Sequence, residues 1–238
     1  MIRFRPLLYP TLWLVPALAL MVGLGVWQIE RLHWKAALIA SVESGMRAAP
    51  VPLAEALRRP PEEAEWHHVT VSGRFQHDKE NYLFAQGPMG AVGVQVITPL
   101  VQDNGEAVLV SRGWVPQALQ DPMTREAGQI EGPVTMTGVL RVSQEPGPFT
   151  PAPDSARRLW FVKDVRAIAK AQGVTITAPI VIEADATPNP GGWPLGGQTR
   201  VDFPNDHLQY ALTWFGLALT LIGVYLVYHV RQGRLGFG

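Results

Sequence analysis

Two uncharged runs frame this chain. Leu7 to Trp27 and Tyr210 to Tyr228 carry no Asp, Glu, Lys or Arg and are dominated by Leu, Val, Ala and aromatic residues. A hydrocarbon layer about 30 Å thick needs about 20 apolar helical residues, so each run predicts a transmembrane helix. The expected spans are residues 9–28 and 207–229. Pro10 and Pro16 fall near the entry of the first, where a membrane helix tolerates them, with a kink expected at Pro16. Trp214 and the tyrosines of the second suit aromatic belts. Ala17-Leu18-Ala19 resembles the cleavage site of a signal peptide, but apolar residues run past it without a polar break, so a cleaved leader is the lesser reading. Helical spacing continues beyond the first span: Leu32, Ala36 and Ile39 share a face, with no Pro until Pro50. A helical extension over 29–47 is therefore predicted, ended by Ala49-Pro50-Val51-Pro52.

Between the spans the period changes from helical to two. Val69, Val71, Gly73 and Phe75 alternate with Thr70, Ser72 and Arg74, which predicts a half-buried strand. Further strands are expected at Asn81 to Gln86, Val92 to Leu100, Ala107 to Val115, Val134 to Val142 and Pro179 to Glu183. Asp103-Asn104-Gly105 is a hairpin turn signal. Asp164 is placed to cap a helix through Ala171, with Gly173 beyond its end. Closely spaced strands with few helices predict a mainly-β α+β domain over 29–206, an antiparallel barrel or sandwich.

Composition agrees with a folded membrane protein and narrows its chemistry. The 238 residues are 47% hydrophobic and 17% charged, with 20 basic and 20 acidic residues. That is neither a disordered chain nor the basic excess of a nucleic-acid binder. With no cysteine, there is no disulfide, thiol nucleophile or thiolate metal site. All the acidic residues lie between Glu30 and Asp206, whereas Arg3, Arg5, Arg231 and Arg234 flank the outer ends of the spans. By the positive-inside rule both termini, residues 1–8 and 230–238, are expected in the cytoplasm, and the acid-rich middle outside it. The five-residue leader is too short for an organellar transit peptide, which points to a bacterial inner membrane.

No enzyme motif is visible: there is no nucleophile elbow, no phosphate-binding glycine loop and no His-Glu-x-x-His. His67 and His68, adjacent on a strand, face opposite ways and cannot readily share an ion, so these two and His77 read as solvated histidines. Glu62, Glu63 and Glu65 read as a solvated loop. Arg112-Gly113-Trp114 reads as structural, with a close approach or bulge at Gly113 and a buried anchor at Trp114. The informative places are the outer ends of the two spans. Trp27, Arg31 and Lys35, at i, i+4 and i+8, stack on one helical face with Gln28 and His33 near. They could form a cationic ledge for an anionic group, a lipid phosphate or a cofactor carboxylate, or be ordinary snorkelling residues beside an aromatic belt. At the other span Asp206 reads as an N-cap with Gln209 as its capping-box partner. His207, Tyr210, Ala211 and Trp214 then share a face. A histidine at the edge of a membrane helix needs a partner, and neutral imidazole is a standard ligand of metals and haem iron.

Several strings together carry a resemblance over nearly the whole chain. They are Gly25-Val-Trp27-Gln28-Ile-Glu-Arg31, Val69-Thr-Val-Ser-Gly73-Arg-Phe75, Ser111-Arg112-Gly113-Trp114-Val115-Pro116, Gly138-Val-Leu-Arg141, Trp160-Phe-Val-Lys-Asp164 and Asn205-Asp-His207-Leu-Gln-Tyr210-Ala211-Leu-Thr213-Trp214. The chain resembles the Surfeit locus protein 1 family, membrane assembly factors for cytochrome c oxidase. The resemblance implies a non-enzymatic role in building the haem a site of oxidase subunit I, with that subunit, haem A synthase and membrane lipid as partners. His207 matches the histidine through which some bacterial members are proposed to bind haem a. Trp27, Gln28, Arg31, Lys35, Tyr210 and Trp214 would complete the site. The alternative is a chaperone that stabilises an assembly intermediate by protein contacts alone. Asp206 departs from the family pattern, where many members have a second Asn, and adds a carboxylate that would weaken His207 as a ligand.

Overall fold

A computed structural model describes residues 2–199, 201 and 203–237. In chain order the elements begin with β1 (Ile2–Phe4), α1 (Leu8–Arg47), β2 (Val51–Pro52), α2 (Leu53–Ala56) and α3 (Pro61–Ala64). The strands β3 (His68–Phe75), β4 (Asn81–Gln86), β5 (Val92–Val101), β6 (Ala107–Pro116) and β7 (Pro133–Val142) follow. The chain ends with β8 (Leu159–Trp160), α4 (Val165–Gln172), β9 (Ile176–Ala184), α5 (His207–Arg231) and β10 (Leu235–Phe237). Two compact units result, one of residues 1–41 with 202–238 and one of residues 42–201.

The first unit is an antiparallel helix pair. α1 runs unbroken through Pro16 for 40 residues, about 60 Å at 1.5 Å per residue, so the helical extension is continuous with the first apolar run. α1 and α5 are both long and apolar enough to cross a membrane. A few contacts fix their register. The Leu7 amide donates to His229 Nε2 at 3.1 Å, and Thr11 Oγ1 meets the Tyr225 hydroxyl at 2.6 Å. Gly25 is buried against Phe215, whose ring would stand 2.6 Å from an added Cβ, so only glycine permits this approach. His207 meets Gln28. At the far end, β1 pairs antiparallel with β10.

In the second unit five strands close on themselves. β3 pairs with β7, β7 with β9, β9 with β6, β6 with β5, and β5 returns to β3. One core cluster draws Val69, Val71, Leu100, Val108, Val110, Leu140, Ile180 and Ile182 from all five strands, with Leu53 and Ala64 from the short helices. That is a barrel interior. The strands form at the predicted places because period-two apolar residues bury one face there. The expectation of an antiparallel sheet is corrected: β6–β9, β2–β3 and β4–β8 are parallel. β7, β8 and α4 all lie in the chain between β6 and β9, the long connection a parallel pair requires. α4 itself starts as predicted, Asp164 accepting from the Ala167 amide at 3.0 Å. β6 is buried on both faces, because Leu109 packs under α4 with Trp160, Val165 and Ile168. The bulge expected near Gly113 is present. Gly113 adopts φ 137°, opposite a register shift at Val96/Ile97, and its backbone passes close to Leu195. Trp114 is a buried anchor whose Nε1 donates to the Ala85 carbonyl at 3.3 Å.

Candidate functional site

α5 begins at His207, and the chain reaches it through Asp206, whose backbone (φ −89°, ψ 9°) already lies outside the extended region of a usual cap. The predicted cap is therefore corrected: the Asp206 side chain makes no capping hydrogen bond and is exposed. His207 turns instead toward α1. Its Nδ1 lies 2.7 Å from Gln28 Oε1. An amide oxygen can only accept, so Nδ1 carries the proton and donates. In the neutral ring that arrangement leaves Nε2 with its lone pair, the form in which an imidazole binds a metal. The helix pair holds this geometry by register, since Gly25–Phe215 lies within one turn of Gln28 on α1 and two turns beyond His207 on α5. Among the described residues His207 forms no ion pair.

Of the other residues singled out in the sequence, Trp214 and Lys35 are half-buried, while Trp27 and Tyr210 are 52% and 56% exposed. Trp27, Arg31 and Lys35 lie on the continuous helix α1, and Arg31 finds a π partner further along it. Its guanidinium sits 3.9 Å from the ring centroid of Trp34, one turn further on. Indole is the best π partner for a cation, which explains the preference. Sequence reasoning missed Trp34, whose i+3 spacing from Arg31 was a readable signal. It also missed His229, which is fully buried among Phe4, Tyr225 and Tyr228 and whose Nδ1 faces the Tyr225 carbonyl at 2.9 Å. With Nε2 accepting from Leu7, both ring nitrogens of His229 are engaged and neither is open to a ligand. His229 follows His207 by about six helical turns, so the two stand on one face of α5.

The barrel unit holds a different cluster. Glu80 is 1% exposed and receives Arg125 Nη2 at 2.6 Å and Nη1 at 3.2 Å, with Arg112 Nη1 at 3.7 Å. Arg112 also donates to the Gly128 carbonyl and to Asn189 Oδ1, and lies over the Phe75 ring. Burial alone would push the Glu80 carboxyl up. His77, the hydrogen bonds and charge of Arg125 and the charge of Arg112 outweigh it, lowering it to about 2. The His77 Nδ1 stands 3.9 Å away, long for a hydrogen bond, so Arg125 and Arg112 are the partners that hold the carboxylate. Burial lowers Arg112 to about 10, and burial with the Glu80 charge raises Tyr82 to about 12. Shifts of this kind attend catalytic sites and structural ion clusters alike. Here the arginines tie loop carbonyls to the barrel, a structural arrangement, as the sequence expected of Arg112. Two solvated readings are corrected: His77 Nε2 bonds the Ile130 carbonyl at 2.9 Å, and Glu65 accepts from Arg141 at 3.1 Å.

No group of three or more metal-ligating side chains occurs among the described residues. A group that brings its own equatorial ligands needs only one protein donor, and His207 Nε2 is chemically fit for it. The family model described as SURF1 family matches residues 15–219. Surfeit locus protein 1 of Rattus norvegicus is 39% identical over 219 residues, covering 85% of this chain and 69% of that protein. Surfeit locus protein 1 of Mus musculus is 37% identical over 237 residues, 93% and 75%. The Homo sapiens protein of that name is 38% identical over 224 residues, 87% and 72%.

Proposed function

The chain belongs to the SURF1 family, and from that membership we propose that it is a membrane-anchored assembly factor for haem–copper cytochrome c oxidase that holds haem a and passes it toward subunit I. The observation that carries the haem reading is the His207–Gln28 pair, an imidazole held through Nδ1, with no hydrogen bond to Nε2 among the described residues. When bound, haem a supplies an iron that accepts one further nitrogen, an apolar tail and two carboxylates. Lipid-facing helix surfaces suit the tail. Arg31, braced on Trp34, and Lys35 suit the carboxylates. Trp27, Tyr210 and Trp214 offer aromatic surface to a macrocycle.

In this reading α1 and α5 both span a bacterial inner membrane, with residues 1–8 and 230–238 in the cytoplasm. Two things support the arrangement: the four basic residues at the outer ends, and the β1–β10 pairing that puts both ends of the helix pair together. Subunit I, haem A synthase and membrane lipid are the partners it calls for. Replacement of His207 by Ala tests the function. The variant is expected to accumulate and insert normally, since His207 closes no buried core, and to lose most of its haem when purified from cells making haem A. Full haem content with an unchanged visible spectrum would remove His207 as the ligand and favour a chaperone acting through protein contacts alone.

A further inference from the structure

We infer that Gln28 is a positioning residue that makes His207 an oriented but exchangeable ligand, suited to releasing its cargo. The inference rests on the haem reading above. Metal-ligating histidines hand their second N–H to a carboxylate, a backbone carbonyl or a water, and of these the carboxylate most raises the basicity of the ligating nitrogen. His207 has access to carboxylates in sequence, Asp206 beside it and Glu30 two residues from Gln28, yet both are exposed. The group that meets Nδ1 is the neutral amide of Gln28, at 2.7 Å and half-buried. An amide oxygen fixes the tautomer and the ring plane as a carboxylate would, with less electron push toward Nε2. Orientation is thereby kept while bond strength is held down. Gln28 stands at this place because α1 and α5 are locked in register by Gly25 against Phe215 and by Thr11 against Tyr225.

Three measurements on the full-length protein in detergent micelles test this, with haemin as the probe and excess apomyoglobin as the acceptor. Gln28→Glu should keep a histidine-ligated spectrum but release haemin about tenfold more slowly, and Gln28→Leu should bind it roughly 10–100-fold more weakly. In protein free of haemin, histidine ¹⁵N spectra should show His207 protonated at Nδ1 in the wild type and a tautomer mixture in Gln28→Leu. That last readout is independent of any cargo. Release from Gln28→Glu at the wild-type rate, or one unchanged His207 tautomer in Gln28→Leu, overturns the role of Gln28 while leaving haem binding intact. Wild-type protein that takes up no haemin, with the tautomer fixed as described, overturns the haem reading and with it the exchange role.

Discussion

The helix pair and the barrel are held together in opposite ways. Within residues 1–41 and 202–238 only Gly25, Ala211, Ala218 and His229 are buried among the described residues, and the outward faces of the helices are apolar. Its partners meet at a few points, most of them polar: Leu7 with His229, Thr11 with Tyr225, Gln28 with His207. The barrel hides its apolar residues in three clusters and buries its strongest charges too, Glu80 between Arg125 and Arg112. The difference follows from the side chains each unit turns outward. Where apolar side chains face outward there is little hydrophobic gain in helix association, and specific polar contacts set the register. Where water is outside, burial drives folding, and a buried charge is tolerable only if paired. A polar contact in the helix pair is thus free to serve a ligand, whereas one in the barrel is committed to stability.

The largest expected effect lies in the barrel. Arg125→Ala strips Glu80 of both short hydrogen bonds and leaves a buried carboxylate, at a cost of about 3–5 kcal/mol. Urea unfolding followed by tryptophan fluorescence would measure it, and a loss under 1 kcal/mol would break the contrast between the units. The acid limb of stability comes next. Glu80 sits at about 2 in the folded chain against an ordinary 4.5, so its contribution is present above pH 4.5 and lost as the pH falls toward 2. The shift corresponds to about 3 kcal/mol, and a pH titration of unfolding should lose that limb in Glu80→Gln.

Smaller effects belong to the helices. A double-mutant cycle of Thr11→Val with Tyr225→Phe should give a coupling of about 0.6 kcal/mol, the usual worth of an interhelical hydrogen bond in a membrane setting. A coupling near that of the barrel cluster would erase the distinction. Smallest of all is Asp206→Ala. A working N-cap is worth about 1 kcal/mol, but a side chain without a capping bond should change stability by less than about 0.5 kcal/mol.

Elements that depend on neighbours in sequence were legible before the structure. The apolar runs, the continuation of α1 to Arg47, the strand positions, the Asp164 cap and the buried Trp114 all follow from period and local hydrogen bonding. His207 was legible as a histidine in need of a partner and Gln28 as a residue near the Arg31 ledge, but the bond between them spans 179 residues of chain and was not. Asp206 misled because a capping residue type was present where the backbone had already left the capping conformation.

What the sequence determined by itself is therefore one-dimensional: the length and polarity of each element, set by periodicities of two and of 3.6 residues that any local window contains. The tertiary structure alone decided who meets whom. It put β9 parallel beside β6, Glu80 between arginines 32 and 45 residues further along, and Gln28 rather than Asp206 on the His207 ring. Such pairings are chosen by the packing free energy of the whole chain, and a charged residue looks the same in sequence whether it ends in water or in a core. That is why the orientation of the His207 ring had to wait for the fold.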